Sequence, residues 1–167
     1  MTKLITKEEV VINEVKRIIE ESKKKVVSYV NTTLLFTYWN IGKLIVEYQG
    51  GEERAKYGDK LIERLSIELT KEYGSGFTKS NLKRMKQFYT YYSKVNSVSS
   101  QLSWTHYKRI ITVKDPLARD YYINEVETRQ LSVRELERLI KTNTYEREKS
   151  NQITYEDNKK KRSRGSL

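Results

Sequence analysis

Cysteine is absent from these 167 residues, which excludes disulfides, thiolate metal sites and a thiol nucleophile. There is a single proline, and seven glycines are spread thinly along the chain. Long helices can therefore run with few breakers, and the turn signals of β-hairpins are scarce. No stretch approaches the roughly 18 consecutive apolar residues of a membrane span. The N-terminus Met1-Thr2-Lys3-Leu4-Ile5-Thr6 is not followed by the apolar core of a signal peptide. The chain is expected to be soluble and cytoplasmic, away from membranes, with an all-α (mainly α) fold.

One sign of charge dominates. The formal net charge is +11, a bias that suits a polyanionic partner such as nucleic acid or an acidic membrane surface and says nothing about fold. Its distribution says more. Between Thr78 and Lys114 lie Lys79, Lys83, Arg84, Lys86, Lys94, Lys108, Arg109 and Lys114 without an aspartate or glutamate, whereas acids and bases alternate elsewhere. An unopposed basic segment meets the demand of phosphate contact, because each neutralised phosphate releases bound counterions. A solvated helix face packed on its apolar side is the plainer alternative.

Helical periodicity places the elements. Thr6 and Glu9 have the spacing of a capping box, with Ile5 and Val10 set to staple across it. Val11, Val15, Ile18, Ile19, Ser22 and Val26 then form one narrow face, which is expected to be buried on a surface helix. The pattern weakens at Asn31-Thr32-Thr33. A second, more buried helix is expected over 34–45, with Gly42 admitting the close approach of a neighbour. Residues 49–53 read as a loop. Leu61, Ile62, Leu65 and Leu69 then mark a helix over 59–73.

In the next stretch, 71–88, a helix stops, turns and restarts. Gly74 and Gly76 are expected to supply positive φ angles, and Thr78 an N-cap. Leu82, Met85, Phe88, Tyr89 and Tyr92 recur on one face, with Lys79, Ser80, Lys83, Arg84 and Gln87 on the other. A helix, a short glycine-containing turn and a helix with donors on its outer face is the arrangement that enters a DNA groove. Residues 94–101 form a loop or a minimal wing. Ser103 is expected to cap a helix with Trp104, Tyr107 and Ile111 inward, and Asp115-Pro116 to open the next. Ser132 and Glu135 form a second capping box, stapled by Leu131 and Leu136. Beyond about Asn151 the apolar periodicity ends, and a basic, disordered tail is expected over 148–167, after a domain at 1–147.

Catalytic constellations are lacking. His106 stands without clustered carboxylates or cysteines and reads as a structural hydrogen-bonding residue rather than a metal ligand or general base. Glu14-Val15-Lys16 has nuclease-like spacing but no partner aspartate. No phosphate-cradling glycine loop and no nucleophile elbow is present. No cofactor and no metal is expected. Tyr91 is the exposed aromatic that could stack on a base, while Tyr89 and Tyr92 read as core.

Tyr38-Trp39-Asn40-Ile41-Gly42, Gly74-Ser75-Gly76-Phe77, Gln101-Leu102-Ser103-Trp104-Thr105-His106-Tyr107 and Ser132-Val133-Arg134-Glu135-Leu136, in this order, resemble the N-terminal domain of YhcG-type bacterial proteins over about Val11 to Arg147. The resemblance implies a helix-turn-helix or winged-helix-like DNA-binding module that usually precedes a nuclease domain of the PD-(D/E)XK type. Where that family often has tryptophan before Ser-Val-Arg-Glu, this chain has Leu131. The order of the helix-turn-helix, the Leu102 to His106 segment, the Asp115-Pro116 start and Ser132 to Leu136 is also similar, more loosely, to the central DNA-binding region of ParB-type partition proteins.

These readings converge on a module that binds double-stranded DNA and is not by itself an enzyme. Phosphate contacts are expected from Lys79, Lys83, Lys86, Lys108 and Arg109, and base contacts from Ser80, Asn81, Arg84 and Gln87. The rival reading is an interaction or oligomerisation module, in which the Tyr38-Trp39 helix or the first helix docks a nuclease partner or a second copy in a homodimer. A remnant nuclease is a third reading.

Overall fold

The computed structural model describes residues 6–49 and 55–164. Within them are seven α-helices: α1 (Lys7–Tyr48), α2 (Ala55–Tyr73), α3 (Lys79–Tyr91), α4 (Trp104–Ile110), α5 (Pro116–Arg129), α6 (Val133–Lys141) and α7 (Thr144–Arg164). No strand occurs among the described residues, so the fold is all-α. In place of a wing, the Ser-rich connection makes a 3-10 turn at Val95–Ser97. It is anchored because Val98 is buried in the core.

α1 begins at the expected capping box: Thr6 Oγ1 accepts from Glu9 N at 3.2 Å, and Thr6 N donates to Glu9 Oε2 at 2.8 Å. Ile5, and with it the staple to Val10, lies outside the described residues, as do 50–53 of the expected loop. The helix then runs 42 residues without a break at Asn31-Thr32-Thr33. Two helices were expected where one forms. The chain has no proline or glycine there, and the Thr33 and Thr37 hydroxyls donate back to the carbonyls of Tyr29 and Thr33, each at 2.8 Å. What changes at that point is burial. Leu35, Trp39, Gly42 and Ile45 are buried, whereas Val11, Val15, Ile18, Ile19 and Val26 remain about half or more exposed. The expected burial of that stripe does not occur. The C-terminal half of α1 is also covered on one face only, since Leu34, Leu44 and Tyr48 are exposed.

The body packs around the C-terminal half of α1. Gly42 lies against α3, where a Cβ would fall 2.0 Å from the Met85 carbonyl oxygen, so only a hydrogen side chain permits this approach. One core group joins Ile45, Ile62, Leu82 and Met85. The larger one runs from Leu35 and Trp39 through Phe88, Tyr92 and Tyr107 to Tyr122, Val126, Leu131 and Leu136. Trp104 touches both, its ring 5.0 Å from Tyr38 and 5.3 Å from Phe88. Trp39 spends its indole N–H on the Tyr92 carbonyl at 2.7 Å, satisfying a donor that burial would otherwise leave unpaired.

The remaining helices start as their caps dictate. Asp115 accepts from Leu117 N at 2.9 Å ahead of Pro116. The Ser132–Glu135 box closes with bonds of 2.7 and 3.2 Å, with Leu131 and Leu136 both buried. α7 continues through the basic segment to Arg164, where a disordered tail was expected. That segment lacks glycine and proline up to Arg164 and is rich in straight-chain lysine and arginine, so an established helix meets no breaker there.

Candidate nucleic-acid interface

α2 and α3 are joined by Gly74 and a 3-10 turn at Ser75–Phe77. Gly74 has φ 86°, a left-handed value that glycine adopts without strain; Gly76, expected to share that role, does not have a positive φ. Thr78 caps α3, accepting from Asn81 N at 3.2 Å. Leu82, Met85 and Phe88 are buried beneath the helix, and Tyr89 packs edge-on to Trp39 at 5.1 Å. Ser80, Lys83, Gln87 and Thr90 are exposed on the opposite side, with Asn81, Arg84 and Lys86 half-buried at its margins. The helix is thus clamped on one face and offers donors on the other.

Folding alters the charge picture read along the chain. Lys79 Nζ lies 2.8 Å from Glu63 Oε1 of α2. Lys79, reinforced by the charge of Lys83, holds the Glu63 carboxyl below its usual range. Arg109 faces Glu137 of α6 at 3.8 Å. The segment is acid-free in sequence but not in space. Asn81 donates to the Gly76 carbonyl at 3.1 Å and accepts from Arg84 at 3.3 Å, so it serves the turn as well as the surface. Gln87 donates to the Tyr91 hydroxyl at 3.1 Å. Ser80, Lys83, Arg84, Lys86 and Gln87 share one helix, whereas Lys108 and Arg109 sit on α4, with Arg109 turned toward α6.

Tyr91 departs from its sequence reading, and Arg119 acquires a role that the sequence did not suggest. Tyr91 is half-buried, and the Arg119 guanidinium lies 3.7 Å from its ring centroid, so the face proposed for base stacking is already covered. Arg119 itself, which no local pattern marks, is buried and donates to the Val113 and Lys114 carbonyls at 2.8 and 2.9 Å. It ties the end of the α4 segment to α5. Burial beside it pushes the Tyr92 hydroxyl up to about 12, and burial likewise raises the Tyr107 hydroxyl, which accepts from Ser99 N at 2.7 Å.

His106 takes the structural role expected of it. Its Nδ1 accepts from Ser103 N at 3.1 Å, so the proton of the neutral ring sits on Nε2, which donates to the Leu131 carbonyl at 2.9 Å. Glu14, in the nuclease-like spacing, is engaged by Arg17 at 3.0 Å. Among the described residues no group of three or more His, Cys, Asp or Glu is placed to hold a metal ion, and no helix is long and apolar enough to cross a membrane.

The geometry defines an all-helical protein that presents one donor-rich helix, linked by a tight turn to its support. The DUF1016 N-terminal domain model matches residues 14–147, and the chain belongs to that family. It is 43% identical over 75 residues to a protein of Escherichia coli (strain K12) described as "Putative nuclease YhcG". That stretch is 44% of this chain and 20% of the relative, so the similarity covers a small part of the relative's length. No solved structure matches the chain.

Proposed function

We propose that this chain is a DNA-binding helix-turn-helix module, the non-catalytic targeting domain of a cytoplasmic YhcG-type nuclease system. The observation that carries the reading is the two-sidedness of α3. Its inner face is fixed by backbone contact with α1 at Gly42, while Ser80, Lys83 and Gln87 project from the outer face and Arg84 and Lys86 flank them. A helix held this firmly loses little freedom on entering a major groove. Lys83 and Lys86 serve as phosphate contacts. Lys79 and Arg109 join them once DNA competes with Glu63 and Glu137, and Lys108 extends the track. Arg84 and Gln87 suit guanine and adenine edges, Ser80 either, and Asn81 the N6/N7 edge of adenine if it leaves Gly76.

The test is duplex binding measured across a salt series for the wild type and for Lys83→Glu combined with Arg84→Glu. Four or five phosphate contacts give a slope of roughly −4 in log affinity against log salt. The double variant is expected to flatten that slope and weaken binding at least tenfold while remaining folded. An unchanged affinity and slope would remove α3 as the site.

A further inference from the structure

α1 carries an apolar surface that its own body does not cover. At ~100° per residue, the step from Ile19 to Leu35, from Ile19 to Trp39 or from Val26 to Gly42 turns the helix by roughly 160°. Leu35, Trp39 and Gly42 face the core. The stripe of Ile12, Val15, Ile19 and Val26 therefore points away from it. Leu44 and Tyr48, 67% and 61% exposed, lie within roughly 20° of Ile19 on that same outer side. They border an open cleft of ≈ 700 Å³ whose far wall is Leu61, Leu65 and Leu69 of α2.

Of the polar residues on this face, Lys23 pairs with Glu20 at 3.2 Å and its long stem carries the charge to the margin, while the smaller ones make hydrogen bonds within the helix. Ser22, Thr33 and Thr37 each donate to the carbonyl four residues earlier, at 2.8 to 2.9 Å, and the Asn40 amide donates to Phe36 O at 2.9 Å. The three hydroxyls, with their donors satisfied inside the helix, can lie against another apolar surface at small cost, whereas Asn40 keeps a second N–H and its Oδ1 for a partner across the contact or for water.

We infer that this outer face of α1 is the interface of a homodimer in which two α1 helices run antiparallel, with the two-fold axis beside Tyr29 and Val30. The occupant is a second copy because the two uncovered features lie at opposite ends of one face. An axis at that point sets Ile12 of one copy against Tyr48 of the second and Val15 against Leu44. Each arm stripe then meets the other copy's α1–α2 cleft, and both are filled twice by one symmetric contact. A 42-residue helix is about 60 Å long, and burying half-exposed valines, isoleucines and tyrosines along it removes on the order of 700 Å² per copy, the scale of a stable interface. The inference stands apart from the DNA reading, since no residue of α3 enters it.

The absence of cysteine makes the register testable in the full chain. Light scattering is expected to give twice the 19.9 kDa chain mass. Under mild oxidation, Val30→Cys is expected to cross-link to itself, whereas Ile12→Cys and Tyr48→Cys cross-link only when the two variants are mixed. Ile19→Asp with Val26→Asp is expected to weaken self-association at least tenfold without loss of helicity by circular dichroism, because both side chains are exposed in the single chain. A monomeric wild type overturns the proposal. Self-cross-linking of Ile12→Cys, the signature of parallel arms, overturns it equally.

Discussion

Gly42 of α1 and Met85 of α3 bring two helix backbones into contact, with 2.0 Å between a Cβ built on the glycine and the methionine carbonyl oxygen. Backbone cannot retreat as the tip of a side chain can. The approach fixes the helix that bears Ser80, Lys83 and Gln87, so the presentation of the candidate interface depends on a residue that faces away from it.

Gly42→Ala is accordingly expected to destabilise the protein by about 1–3 kcal/mol, the range for overpacking a filled core. Helix propensity alone would favour alanine by about 1 kcal/mol, so the sign of the change decides which effect governs. Urea denaturation followed by circular dichroism measures it. A stabilised variant would show that the α1–α3 contact yields readily.

What could be read from the sequence was local. The Ser132–Glu135 box, the Thr78 cap and the Asp115-Pro116 start rest on atoms within three or four residues of each other, and all formed. Asn31-Thr32-Thr33 marks a change of surroundings and not of conformation: burial begins at Leu35, but the helix continues. The Val11 to Val26 stripe showed that a face wanted cover without showing which surface supplies it. Pairing across the fold was invisible for a different reason. Glu63 meets Lys79, Glu137 meets Arg109, and Arg119 covers Tyr91 only after three-dimensional packing, and no spacing rule encodes those meetings.

The acid limb of stability is expected to involve Glu135. The Ser132 backbone N–H and then its hydroxyl hold the Glu135 carboxyl below its ordinary 4.5. A depressed folded-state value means that the unfolded chain takes up the proton first as pH falls. The contribution of Glu135 is complete above about 4.5 and is lost as pH drops through the folded value. Glu135→Gln keeps an acceptor for Ser132 but cannot titrate, so its melting temperature should fall less steeply below pH 4.5 than that of the wild type. Parallel curves for the two proteins would mean that other carboxylates govern this limb.

Glu63 offers a test that separates fold from function. It is exposed, as is its partner Lys79, and exposed ion pairs add little to stability because solvent screens them. Glu63→Gln should therefore leave the denaturation midpoint nearly unchanged. On the proposed DNA surface the same substitution removes a negative charge beside α3 and releases Lys79 for a phosphate. Duplex affinity should rise by several-fold at low salt with little change in salt slope, since Lys79 contacts phosphate in both proteins but no longer has to leave Glu63. Lys79→Gln made on top of Glu63→Gln should cancel most of that gain. If Glu63→Gln instead leaves affinity untouched while the Lys83 and Arg84 variants weaken binding, Lys79 lies off the DNA track and the contact surface is confined to the middle of α3.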